Sequence, residues 1–116
     1  MEIILSIVAG ICVMRIEGDF LSEEDHETFR ENIYSLAKEG TMHVVIDLSG
    51  VKYINSCGLG SLVCALTTLR KVGGNLRLVG VGAHVRELFA ITQLDRIFAI
   101  YTSLEKAVQE LSVQMK

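Results

Sequence analysis

Short runs of β-branched and other apolar residues alternate along this chain with segments of helical period, and that alternation restricts it to an α/β layer architecture. Glu2 to Val8 and Ile11 to Glu17 read as two strands joined at Ala9 and Gly10, a loop suited to a tight hairpin. Proline is absent, so the other boundaries come from glycine, caps and changes of period. Ser22 is the expected N-cap of a first helix, with Asp25 at the capping-box position. Phe29, Ile33, Leu36 and Ala37 follow at helical spacing before Gly40 stops the helix. His43 to Leu48, dominated by Val44, Val45 and Ile46, is too short for a helix and predicts a buried central strand. Leu59, Leu62, Leu66 and Leu69 mark one face of a second helix from Gly58 to Val72, ended by Gly73 and Gly74. Asn75 to Val79 predicts a strand, Ala83 to Thr92 a helix and Ile97 to Tyr101 a strand. A last helix is expected to start with Thr102 as N-cap and Glu105 as its box partner. Residues 1–116 are thus expected to form a single α/β domain: a mixed central sheet with an N-terminal hairpin, right-handed β-α-β units and about four helices.

Half of the residues are hydrophobic, 22% are charged and the mean hydropathy is +0.41, which excludes a disordered chain. Aromatics make up only 6% and Trp is absent, which argues against a stacking platform for nucleic acid. The net charge of -3 likewise advertises no basic patch for a phosphate backbone or an anionic membrane. Cys12, Cys57 and Cys64 form no C-x-x-C and have no His cluster beside them, so neither a disulfide framework nor a structural zinc is expected. A reducing compartment suits such thiols. The apolar run from Met1 to Met14 carries Glu2 where a signal peptide is basic, and Arg15, Glu17 and Asp19 close it too early to span a bilayer. Neither a cleaved signal nor membrane insertion is expected.

The informative segment runs from Asp47 to Gly60, where polar Asn55 and Ser56 immediately precede a glycine-containing helix start. Either residue can serve as the N-cap. If Ser56 does, its oxygen is also the atom a kinase would modify, and the free N–H groups of the first turn would tolerate a phosphate there. On a helical wheel Ser56 shares a side with Gly60, Val63, Cys64, Thr67 and Lys71. Leu59, Leu62, Ala65, Leu66 and Leu69 cover the core face. A strip of small side chains headed by a serine lets a partner approach the backbone closely. Cys57 reads first as a small buried hydrophobe and second as a thiol activated by the helix N-terminus. Weaker signals have structural readings. Gly80-Val81-Gly82 is a fragment of a dinucleotide loop with Val85 at the third glycine position, and Ser103-x-x-Lys106 sits in a capping sequence. His26, His43 and His84 show no ligand or triad spacing, although His84 is expected near the Ser56 loop.

The pattern V-V-I-D-L-S-G-V-x-x-I-N-S-C-G-L-G, followed by R-K-V-G-G-N-L-R-L-V-G, resembles the STAS domain of bacterial anti-sigma factor antagonists. Glu17-Gly18-Asp19-Phe20 and Leu94-Asp95-Arg96-Ile97-Phe98 extend the resemblance to both ends of the chain. It implies a cytoplasmic binding module without cofactor, metal or catalytic residues of its own. It further implies that an anti-sigma factor serine kinase phosphorylates Ser56 and that a protein serine phosphatase reverses this. Unphosphorylated Asn55, Ser56 and Cys57, with Gly60, Val63, Cys64, Thr67 and Lys71, would dock on the kinase and release a sigma factor. The family commonly has Asp-Ser-Ser or Asp-Ser-Ala here, so Asn55 keeps a capping oxygen but removes a charge. A second expectation is a non-phosphorylated STAS subunit of a transporter or signalling assembly. The third is a small redox or nucleotide-binding enzyme using Cys57. A monomer is expected, though the exposed edge of the Met1 to Glu17 hairpin must be either covered or paired.

Overall fold

The structure, a computed structural model, describes residues 1–114. In chain order it contains β1 (Glu2–Val8), β2 (Ile11–Glu17), α1 (Glu23–Lys38), β3 (His43–Gly50), α2 (Ser56–Lys71), β4 (Asn75–Val79), α3 (Ala83–Ile91), β5 (Ala99–Tyr101) and α4 (Leu104–Gln114). A single 3-10 turn, Leu94–Arg96, precedes β5. Strand order in the sheet is β1-β2-β3-β4-β5, with β1 antiparallel to β2 and every other pair parallel. The hairpin turns through Ala9 and Gly10, both at positive φ (52° and 80°), the primed geometry whose twist matches the flanking strands.

Two cores of unequal size flank the sheet. Met14, Ile16, Val44, Ile46, Leu76 and Leu78 point to the face covered by α1, α2 and α3, where Phe29, Leu62, Leu69 and Phe89 complete the larger core. Ile11, Val13, Val45 and Val79 point to the other face, closed by Ala107, Val108 and Leu111 of α4. A central parallel strand with both faces buried accounts for the unbroken apolar run in β3. No helix among the described residues is long and apolar enough to cross a membrane.

The structure moves several expected boundaries. β3 runs on to Gly50 because its parallel pairing with β2 continues, through a register shift, to Glu17 opposite Gly50. β5 begins at Ala99 and not Ile97: the 3-10 turn takes up the preceding chain, and Phe98 stacks on Phe89 at 5.7 Å, serving the core. Ser103, not Thr102, caps α4, its Oγ accepting the Lys106 N–H at 3.1 Å. That bond also gives the Ser103-x-x-Lys106 spacing its structural role. Ser22 caps α1 as expected, accepting the Asp25 N–H at 3.1 Å.

Candidate functional site

The residues before α2 are strapped to the chain leaving β2. The Gly18 N–H donates to the Gly50 carbonyl at 2.9 Å and the Phe20 N–H to that of Tyr53 at 3.1 Å. The Asp19 carboxylate accepts the Tyr53 N–H at 3.1 Å, and Phe20 and Ile54 form a parallel bridge. Beneath this strap, Gly58 packs so closely that a Cβ would lie 2.5 Å from Ile54 Cγ1 and 3.0 Å from the Phe20 carbonyl oxygen, so only glycine fits. Gly80, at φ +68°, is needed for the same reason: a Cβ there would lie 2.7 Å from Asp47 Oδ1 and 2.8 Å from the Ser49 nitrogen. Close packing of the β4–α3 loop against the end of β3 thus explains Gly80, whereas a Cβ on Gly82 would meet nothing within 4 Å.

Asn55, and not Ser56, is the N-cap of α2. Its Oδ1 accepts the Gly58 N–H at 2.9 Å, while its Nδ2 donates to the Leu21 carbonyl at 2.8 Å. The two partners together fix the orientation of the amide, since one needs an acceptor and the other a donor. Ser56 is therefore the first helical residue, exposed, with its hydroxyl released from capping. The amide also gives a physical reason for asparagine here, because a carboxylate could cap but could not donate to Leu21. Asn55→Ala removes both bonds and is expected to cost about 2 kcal/mol. Asn55→Asp loses only the bond to Leu21, about 1 kcal/mol, and regains part of it as a charge at the helix N-terminus. Urea unfolding should therefore rank wild type above Asn55→Asp and Asn55→Ala last. An Asn55→Ala protein as stable as wild type would show that the cap carries no weight.

Two clefts adjoin this end of α2. One, of about 550 Å³ between α1 and α2, is lined by Leu21, His26, Arg30, Cys57, Gly60 and Cys64, among others. The other, of about 490 Å³, is lined by Lys52, Tyr53, Gly82 and His84 with their neighbours. His84 lies where the sequence placed it, its ring 5.1 Å from that of Tyr53. His26 was not legible as part of a site. It is buried against Phe20, ring centroids 5.1 Å apart, and its Nε2 has no hydrogen-bond partner among the described residues.

Of the strip read from the wheel, Gly60, Cys64, Thr67 and Lys71 are exposed. Val63 is not a surface residue of that strip: it is half-buried and packs on the larger core, because its position lies on the shoulder of the helix. Leu59, Leu62, Ala65, Leu66 and Leu69 are all buried as expected. Cys57 departs from the expected buried hydrophobe and is exposed, because its place in the first turn faces the α1 cleft. Cys64 shares that cleft. Only Cys12 is buried, and burial pushes its thiol pKa up, keeping it protonated.

The sequence matches the STAS domain family over residues 2–107. The anti-sigma-B factor antagonist of Bacillus subtilis strain 168 is 36% identical over 80 residues, covering 69% of this chain and 72% of that protein. The crystal structure of TM1081 from Thermotoga maritima superposes with a TM-score of 0.88 at 25% identity, over 95% of this chain and 94% of that one. The Bacillus cell fate determinant SpoIIAA, solved in its phosphorylated form, shares the fold with a TM-score of 0.72 at 20% identity, over 94% of this chain and 98% of that one.

Proposed function

Because the chain belongs to the STAS domain family, we propose that it is an anti-sigma factor antagonist, a binding protein that docks on an anti-sigma factor serine kinase and is switched off by phosphorylation of Ser56. The observation that carries this reading is the division of labour at the start of α2: Asn55 does the capping and leaves the Ser56 hydroxyl exposed. A phosphate at the first helical position meets the positive end of the helix dipole, so it is tolerated by the fold. Toward a partner it presents about -1.5 to -2 charges at pH 7, which a packed contact must desolvate.

Gly60 supports the same docking face. It is exposed within α2, and a Cβ there would have nothing within 4 Å, so no contact inside the domain requires glycine. Glycine in a helix interior costs about 1 kcal/mol relative to alanine. Close approach of a partner's backbone to α2 accounts for bearing that cost.

Incubation with ATP and an anti-sigma factor serine kinase, read by intact mass, tests the proposal. The wild type should gain one phosphate, and Ser56→Ala should gain none while still binding the kinase. A gain that persists in Ser56→Ala would move the switch elsewhere; of the two nearest serines, Ser49 is exposed and Ser61 is buried. No gain in the wild type would sink the switch and leave the non-phosphorylated STAS subunit of a transporter or signalling assembly.

A further inference from the structure

The outer edge of β1 is the longest unpartnered stretch of backbone in the sheet. Val8 opposite Ile11 closes a two-residue turn, so this pair exchanges hydrogen bonds, and the alternation of an antiparallel ladder assigns Ser6, Ile4 and Glu2 to the same bonding with β2. The N–H and C=O groups of Ile3, Leu5 and Ile7 consequently face away from the sheet. On the α1–α2 side, the side chains of the same residues leave the core progressively: Ile3 still packs on it, but Leu5 is 46% and Ile7 68% exposed. Ile4 and Val8 are also exposed, on the opposite face. β1 contains no lysine, proline or bulge, the devices that normally blunt an edge. The other edge, β5, is only three residues long.

We propose that β1 pairs antiparallel with β1 of a second copy of this chain, Leu5 opposite Leu5, joining the two sheets into one. In this register Ile3 faces Ile7 of the partner copy. Each outward residue then both donates and accepts a hydrogen bond, and no other antiparallel register uses Ile3, Leu5 and Ile7 together. The same pairing sets Ile3, Leu5 and Ile7 of both copies side by side as one apolar row, while Ile4 meets Ser6 on the other face. Charge favours this occupant and orientation. Glu2 is the only charged residue of β1; it stands opposite Val8, and the two Glu2 lie at opposite ends, about 20 Å apart. A β1–β5 contact would be heterologous and open-ended, but three residues cannot match seven, so the two-fold arrangement closes on itself. β2 separates β1 from β3, so the pairing leaves the Ser56 end of the domain free.

Sedimentation of the full chain from micromolar to sub-millimolar concentration, combined with residue-resolved amide exchange by NMR, tests this. The mass should rise from monomer to dimer. Over the same range the Leu5 and Ile7 amides, which face outward in the monomer, should slow by about tenfold or more. Leu5→Lys should remain monomeric with a melting temperature within a few degrees of wild type. Should that variant misfold, the wild-type exchange data decide alone. A monomer at every concentration, a dimer whose Leu5 and Ile7 amides stay fast, or protection that appears only when another protein is added would each overturn the proposal, the last in favour of strand addition by a partner's peptide.

Discussion

Ser56→Asp is expected to weaken binding to an anti-sigma factor kinase by at least about tenfold, or 1.4 kcal/mol, while Ser56→Ala binds within a factor of about three of wild type. A carboxylate carries less charge than a phosphate, so the variant sets a lower bound on the effect of modification. Its effect on folding has the opposite sign. An acidic side chain at the first helical position interacts favourably with the helix dipole by about 0.3 to 1 kcal/mol, and the Asn55 cap stays intact. The melting temperature should therefore hold or rise slightly as affinity falls. Calorimetric titration alongside thermal unfolding reads both quantities. An aspartate variant that binds as tightly as the alanine variant would mean that the contact accommodates negative charge.

Leu62→Ala should cost about 2 to 5 kcal/mol, because Leu62 is fully buried in the larger core and its truncation leaves a cavity between α2 and the sheet. Thr67→Arg, five positions along the same helix, should change stability by less than about 0.5 kcal/mol. Thr67 is exposed, and its hydroxyl donates to the Val63 carbonyl of its own helix, at 3.1 Å. The same arginine should reduce affinity for the kinase, since a bulky charge would be desolvated in the contact. Urea unfolding of the two variants checks the assignment of faces; a Thr67→Arg protein that unfolds would place Thr67 in the core.

β1, β2 and β4 coincide with the stretches read from the sequence because alternation, the Ala9-Gly10 turn and the Gly73-Gly74 stop are local signals. The errors arise where a distant partner decides. β3 outlasts Leu48 because β2 lies beside it, and Phe98 leaves the expected strand because Phe89 offers it a stacking surface. Ser56 and Asn55 looked interchangeable as caps, since either residue type can accept the bond. What separates them is the Leu21 carbonyl, 34 residues earlier in the chain, which needs an amide donor. Cys57 and Val63 exchanged expected environments for a related reason. A wheel gives direction around one helix, but where α1 ends and a cleft begins depends on how two helices pack.

The unequal covering of the sheet has a thermal consequence. Three helices hold one face, whereas α4 alone holds the other, through little more than Ala107, Val108 and Leu111. A helix of 11 residues has marginal stability in water without its packing, so α4 is the natural unit for sub-global opening. Native-state hydrogen exchange should show its amides escaping at a lower free energy than those of β3 and α2. Early damage by heat or denaturant would then reach Val13, Val45 and Val79 first, on the side of the sheet away from Asn55 and Ser56, and the serine end would keep its shape while the far face frays.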